Sequence, residues 1–214
     1  MKIGIGVTTT FARNETAQIA IQNIAKYSVG CKMAVVSDVP GIAVAKNKCL
    51  ALLDDCEHIF LFDDDTYPKV EGWHLPYIES GMNHLSFTFS HLHNGMTNGN
   101  RKLEGKYMDC NRFQNPCGCM LYLTKKCLDT VGGFDERFIG WGFEHCDLSR
   151  RIYNAGLTPY PFMDVKNSLS LLHSMDYYRE VQSSVEPMQR AGFIKHNRPL
   201  YEQGVNSKEY CKYK

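Results

Sequence analysis

The sequence predicts an α/β fold: a single domain with a mostly parallel central sheet flanked by helices. Two observations carry this. Apolar runs at residues 2–7, 33–36 and 58–62 alternate with two segments of helical spacing, and strand–helix–strand order implies parallel pairing through helical crossovers. A polar cluster follows each run: Thr8, Thr9 and Thr10, then Asp38, then Asp63, Asp64 and Asp65. Ligands of such sheets bind beyond the carboxyl ends of the strands, so the three clusters are predicted to share one edge.

Each element has its own signal. Ile3, Ile5 and Val7 alternate as a strand does. Asn14 can cap the next segment, with Glu15 in its first turn. Ala17, Ala20, Ile21 and Ile24 follow helical spacing, and Gly30 ends the helix. Residues 33–36 read as the second strand, 38–41 as a turn, 42–53 as a helix and 58–62 as the third strand. Leu85, Phe87 and Phe89 predict a strand over 84–93. Residues 94–116 are polar, rich in Gly and Asn and without a clear period, which predicts a long loop or hairpin of the kind that is usually functional. Residues 119–123 form a further strand, followed by a short helix to Val131 and a Gly- and aromatic-rich stretch over 132–142. Residues 143–155 are helical, stopped by Gly156, and 159–165 suit a strand. The expected organisation is a main domain over 1–173, with a tail over 174–214 packed on it or extending it.

Composition narrows the possibilities. At 214 residues, 43% of them hydrophobic, the chain can bury a substantial core. A formal net charge of +1 gives no global field toward nucleic acid or anionic lipid. The basic residues Lys195, Arg198, Lys208, Lys212 and Lys214 are interleaved with Glu202 and Glu209, as on a solvated face. The first residues are too short and too Gly-rich for a signal peptide, and no run approaches the ~20 apolar residues of a membrane helix. Nine cysteines, several of them inside apolar segments, fit a cytoplasmic protein with reduced thiols. Cys117-Gly118-Cys119 lacks a second ligand pair at zinc-finger spacing, so these read as free thiols.

The triplet Asp63-Asp64-Asp65 is the first chemical signal. Adjacent carboxylates repel unless a cation or solvent relieves them. On a strand-like stretch Asp63 and Asp65 point to one side, where they can grip Mg²⁺ or Mn²⁺ together with substrate phosphates. By itself the triplet is equally an exposed acidic turn before Pro68. Phosphatases of the haloacid-dehalogenase type also end a strand in two spaced aspartates. They place a threonine where this chain has Tyr67, and they use the first strand, not the third. The second signal is Gly132-Gly133-Phe134-Asp135-Glu136, then Gly140-Trp141-Gly142-Phe143-Glu144, then Asp147-Leu148-Ser149-Arg150-Arg151. Glu144 and Asp147 share a helix face at i and i+3, which suits a site and equally suits the helix dipole. Trp141 between two glycines suits a sugar ring packed on the indole, and equally a buried structural tryptophan.

Together, the triplet and the 132–151 block resemble glycosyltransferases of the GT-A fold, a Rossmann-like nucleotide-binding domain. The likeness is to family 2 and to the β-1,4-galactosyltransferase and polypeptide N-acetylgalactosaminyltransferase group, over residues 3–173. It implies metal-dependent transfer of a sugar from a nucleoside-diphosphate-sugar, most commonly a UDP-sugar, to an acceptor hydroxyl, with Mn²⁺ or Mg²⁺ as cofactor. It implies metal contacts from Asp63, Asp65 and the late His173, with Asp63 also at the nucleotide. Thr8, Thr9, Thr10 and Arg13 would form the first nucleotide loop, Asp38 would meet the nucleoside, and Lys46 and Asn47 would lie near the nucleotide. Asp64 would touch the sugar or shape the turn, while Trp141 and Gly142 would line the substrate. Glu144 would orient the acceptor or the donor sugar. His145 stands where many inverting members carry an aspartate base. Imidazole can serve as a base near neutral pH, and Asp147 is the carboxylate alternative. Residues 94–116 would close over the donor and exclude water.

The resemblance leaves the acceptor open among a glycan precursor, a small molecule, a protein and modified DNA. Two other functions compete. A sugar nucleotidyltransferase would carry a Gly-rich basic loop after the first strand, whereas residues 7–13 hold no glycine and one arginine. A non-catalytic carbohydrate- or nucleic-acid-binding module would release no nucleoside diphosphate in the presence of metal.

Overall fold

β1 (Ile3–Thr9), α1 (Asn14–Tyr27), β2 (Lys32–Ser37), α2 (Ile42–Leu52) and β3 (His58–Asp63) follow one another as the spacing requires. They are taken from a computed structural model that describes residues 1–97, 101–183 and 185–214. β2 and β3 flank β1, both in parallel, and Thr8 lies in register with Asp63. β3 is buried on both faces, as central strands under helices are. Ile59 and Leu61 join a core shared with Leu50, Leu121, Leu128 and Leu148. Phe60 and Phe62 join a second core around Ile5, Trp73, Tyr77 and Tyr122.

The chain continues through β4 (Thr66–Pro68), α3 (Leu75–Glu79), β5 (His84–Ser86), β6 (Leu103–Tyr107), β7 (Cys110–Phe113) and β8 (Met120–Thr124). α4 (Lys125–Val131), α5 (Glu144–Asn154), β9 (Met163–Val165), α6 (Ser168–Leu171), β10 (Leu172–Ser174), α7 (Met175–Tyr178) and α8 (Pro187–Gly204) complete it. The central sheet has the order β2-β1-β3-β8-β5. The fold class is α/β as predicted. The sheet is mixed, however: β8 runs antiparallel to both β3 and β5. The predicted strand over 84–93 pairs only through Ser86, because Phe87 makes a last backbone bond to Met120 and Thr88 then donates to the buried Asp164 carboxylate. The aperiodic stretch 94–116 contains the β6–β7 hairpin, which pairs with β9. Residues 98–100 of that stretch lie outside the described residues.

β4 and β10 form a separate antiparallel ribbon that aligns His173 with Tyr67 and Ser174 with Thr66. This ribbon brings residues more than a hundred positions apart beside the triplet. Residues of the tail are tied to the block they follow. α8 packs on α5, and its fully buried Asn197 holds the loop before α5: the amide donates to the carbonyls of Ile139, Trp141 and Gly142 and accepts from Ile139 N. Further on, Gly133 N donates to Cys211 O, and the buried Tyr213 donates its hydroxyl to Asp54. All nine cysteines are free thiols, and no described helix is long and apolar enough to cross a membrane.

Candidate active site

The ends of β1 and β3 place the threonines beside the aspartates. Thr8 Oγ1 lies 3.5 Å from Asp63 Oδ1, and Thr9 donates to Asp64 Oδ2 at 2.7 Å. Thr10 follows on the exposed side. Arg13 then folds back: its Nε lies 3.0 Å from Asp64 Oδ1 and its Nη2 2.9 Å from Asp65 Oδ2. Asp63 faces Lys46 instead, at 3.0 Å from the ammonium, which also reaches the carbonyl of Gly118 at 3.2 Å. Ion pairing divides the triplet differently from strand alternation. Asp64 and Asp65 share one guanidinium, and Asp63 is the separate and most exposed member, with a third of its side chain accessible. The cause is Arg13, whose planar fork spans two adjacent carboxylates.

Asp65 is short of compensating charge. Burial, then the neighbouring Asp176 and Asp63, push its carboxyl up to about 7 against the opposing pull of Arg13. Asp176 was not anticipated. It sits on α7, one residue past Met175, whose N–H donates to the Asp65 carbonyl. Its own carboxyl is raised by burial, while Arg13, Arg101 and Arg190 favour its charge. Arg190 of α8 lies 4.3 Å over the Trp141 ring, so a helix read as plain tail reaches the mouth of the site. No sequence motif marks Asp176, Arg190 or Asn197, since long-range packing alone brings them in.

His173 lies on β10 beside the triplet's ribbon partner β4. Its ring is stacked between Tyr67 and Tyr178, at 4.8 and 4.6 Å, and its Nε2 bonds Glu180 at 2.8 Å. Among the described residues no three His, Cys, Asp or Glu side chains converge as a ready metal cage. Asp38 adopts a left-handed backbone, φ 56°, and accepts from Phe11 N at 2.8 Å. It is exposed and fixes the loop after β1. Asn47 packs the block: its buried amide donates to Phe134 O and Glu136 Oε1 and accepts from Phe134 N. Gly133 makes this possible: a Cβ there would lie 2.3 Å from the Asn47 oxygen and 2.6 Å from Tyr213 Cβ.

Gly142 and Phe143, with φ of 100° and 75°, turn the chain into α5 through two successive left-handed residues. Such a conformation at Phe143 costs about 1–3 kcal/mol and tends to mark functional sites. It sets Glu144 at the start of α5, buried and bonded to His145 Nδ1 at 3.0 Å. The His145 ring lies against Gly118, where a Cβ would come within 2.7 Å. Burial alone would lower the His145 pKa, but Cys146 and the Glu144 carboxylate outweigh it and push it up to about 10. Burial opposes ionisation of Glu144, yet His145 and Lys46 hold its carboxyl well below the usual range. The two shifts favour the imidazolium–carboxylate form of the pair, in which His145 supports the charge of Glu144. Asp147 is buried and paired with Arg151 at 2.8 Å, and Arg151 in turn holds the carbonyls of Val131 and Gly133 at 2.7 Å each.

Lys46 links the two halves, touching Asp63 directly and favouring ionised Glu144 through its charge. The geometry is thus a carboxylate cluster at the strand ends facing a buried carboxylate–imidazolium pair at a helix start.

Comparison with known proteins bears on the fold and on the second half of the chain. Residues 92–181 match the family described as the N-terminal domain of galactosyltransferase. An uncharacterized glycosyltransferase of Acanthamoeba polyphaga mimivirus is 29% identical over 138 residues, covering 62% of this chain and 53% of that protein. The chain thus spans about half the length of the curated relative it matches. Among solved structures, the catalytic domain of Drosophila β1,4-galactosyltransferase 7 in complex with xylobiose superposes with a TM-score of 0.53 at 15% identity, over 92% of this chain and 81% of that one. A mutant of the same enzyme in complex with manganese, UDP-Gal and xylobiose gives 0.54 at 15% identity, over 90% and 79%. The chain has the GT-A fold of glycosyltransferases and carries a galactosyltransferase-like block.

Proposed function

We propose that the protein is a glycosyltransferase that moves a sugar from a UDP-sugar or related nucleotide-sugar to an acceptor hydroxyl, using Mn²⁺ or Mg²⁺. The observation that carries this reading is the buried Lys46, which joins the triplet at Asp63 to the Glu144–His145 pair across the sheet edge. The matching galactosyltransferase block and the relative named as a glycosyltransferase support it. The complex of the Drosophila enzyme with manganese and UDP-Gal supports the metal and the donor.

The donor set fits a hard divalent cation. Asp63 and Asp176 both act on the charge of Asp65, and Arg13 and Lys46 are the cations paired with the triplet. Mg²⁺ and Mn²⁺ at phosphate sites need only one or two carboxylates plus substrate oxygens. Asp63, the most accessible, and Asp65 would hold the ion. When bound it would neutralise charge on the leaving diphosphate. Arg13 and Lys46 fix the carboxylates in place. Thr8, Thr9, Thr10 and the exposed Asp38 border the nucleotide side, while Trp141 and the open backbone of Gly142 border the sugar side. Glu144, kept ionised, accepts the hydrogen bond of the acceptor hydroxyl and takes its proton as the hydroxyl oxygen bonds to the anomeric carbon and the bond from that carbon to the diphosphate breaks, the electron pair leaving with the diphosphate. His145 keeps Glu144 oriented and charged. The free thiols spread through the core support a cytoplasmic setting.

The test is incubation with a panel of nucleotide-sugars and Mn²⁺, with and without candidate acceptors. Free nucleoside diphosphate is the expected product. Products of nucleoside-monophosphate transfer would replace this reading with a nucleotidyltransferase, and silence across the panel would leave a binding module.

A further inference from the structure

A cavity of about 260 Å³ is lined by residues of the β6–β7 hairpin, of α5 and of the segment before β9, with no residue of the carboxylate cluster among them. Its lining includes Glu104, Arg112, Gln114, Arg150, Tyr160 and Phe162. Two arginines line it, each with its guanidinium laid over an aromatic ring. Arg112 lies 3.7 Å from the Tyr160 centroid and Arg150 lies 5.0 Å from that of Phe162. Arg150 spends its Nε on the Tyr201 hydroxyl at 3.3 Å. The Arg112 Nε is buried and has no hydrogen-bond partner. Among the described residues neither arginine has a carboxylate within 4.0 Å, and the exposed Glu104 lines the same cavity.

This arrangement is costly without a ligand. Two like charges in one cavity repel, and a buried donor left unpaired costs about 1–3 kcal/mol. Stacking on aromatic rings holds the guanidinium planes, so little side-chain freedom is lost when an anion arrives. Arginine forks match oxyanions through paired N–H donors. Two of them suit the double charge of a phosphate monoester better than the single charge of a carboxylate. The cavity exceeds a bare phosphate in size, and Gln114 and the Tyr160 hydroxyl offer partners for sugar hydroxyls.

We infer that this cavity binds a phosphate group, carried on a sugar or free in solution. The site is distinct from the carboxylate cluster and does not depend on how that cluster is read. Arg150 follows Glu144 by six residues on α5, about 9 Å of helix.

Isothermal titration of the full chain tests it, at fixed ionic strength, with EDTA present to silence any divalent metal. The probes are inorganic phosphate, a hexose 6-phosphate and the unphosphorylated hexose. The hexose 6-phosphate is expected to bind, with affinity about tenfold or more weaker in the Arg112→Gln, Arg150→Gln double variant. Equal binding of inorganic phosphate assigns the site to phosphate alone, and tighter binding of the ester assigns it to a phosphorylated sugar. Either result supports the inference. A second measurement uses the unaltered protein: phenylglyoxal labelling read by peptide mass spectrometry. The bound phosphate should slow modification of Arg112 and Arg150 but not of the exposed Arg198. No binding of either phosphate, affinity unchanged in the double variant, or labelling without protection overturns it.

Discussion

Single residues of this site differ most in what opposes their charge. Asp63 and Asp65 are the pair proposed to hold the cation. Asp63→Asn or Asp65→Ala should cut Mn²⁺-stimulated diphosphate release about a hundredfold or more, with an unchanged circular dichroism spectrum. Full activity in both variants would remove the metal from the mechanism. Arg13 is the counter-ion of Asp64 and Asp65. Arg13→Ala leaves two buried carboxylates facing each other and should lower the unfolding free energy by about 3 kcal/mol, measured by urea titration. A variant as stable as the parent would show the ion pairs to be energetically idle. His145 gives a signed pH dependence. Its folded pKa, about 10, lies above the ordinary 6.5, so the stability it contributes is fully present below 6.5 and is lost as pH rises through about 10. The stability gap between parent and His145→Ala should therefore be wide at pH 6 and narrow by pH 10. A constant gap would place the His145 pKa near its ordinary value.

Elements with strong periodicity were legible in the sequence, and those defined by distant partners were not. β1, α1, β2, α2 and β3 follow from alternation, helical spacing and turn residues, so the strand-end clusters at Thr8, Asp38 and Asp63 fell on one edge as expected. β4 and β10 are three residues each, too short to show a period, and they exist because each supplies the other's backbone partners. That pairing carries Asp176 into the site and hands His173 to two tyrosines and Glu180. The 132–151 block announced itself by residue identity, but the use of each polar group did not. Asn47 and Asp147 have the chemistry of ligands and the surroundings of clamps, and only the three-dimensional neighbours decide between these. At this scale Asn197 makes the clearest prediction. Its amide fixes four backbone groups in the loop before α5, so Asn197→Ala should cost about 2–3 kcal/mol of stability and raise the apparent donor KM. Wild-type kinetics in that variant would separate loop order from donor binding.

At the scale of the whole molecule, residues beyond 174 complete the site rather than trail from it. α8 presents Asn197 and Arg190 to the Trp141 loop, and Tyr213 closes the core beneath Gly133. Tyr213→Ala should lower stability by about 3 kcal/mol and blunt the cooperativity of thermal unfolding, followed by calorimetry. An unchanged transition would mean that this segment docks without supporting the fold.

The meeting of Asn47, Gly133 and Tyr213 also has a kinetic meaning. These three lie far apart in sequence yet occupy one point in space, so the catalytic loop can take its final shape only after the last of them has been synthesised. At ~5–20 residues per second, the interval between Asp63 and Tyr213 leaving the ribosome is roughly 8–30 s. Within that interval the central sheet is completed at β8, while Gly133 still lacks the Tyr213 side chain that packs on it. A nascent chain can fold its parallel half early, but the loop at Gly133 reaches its final packing only at the end.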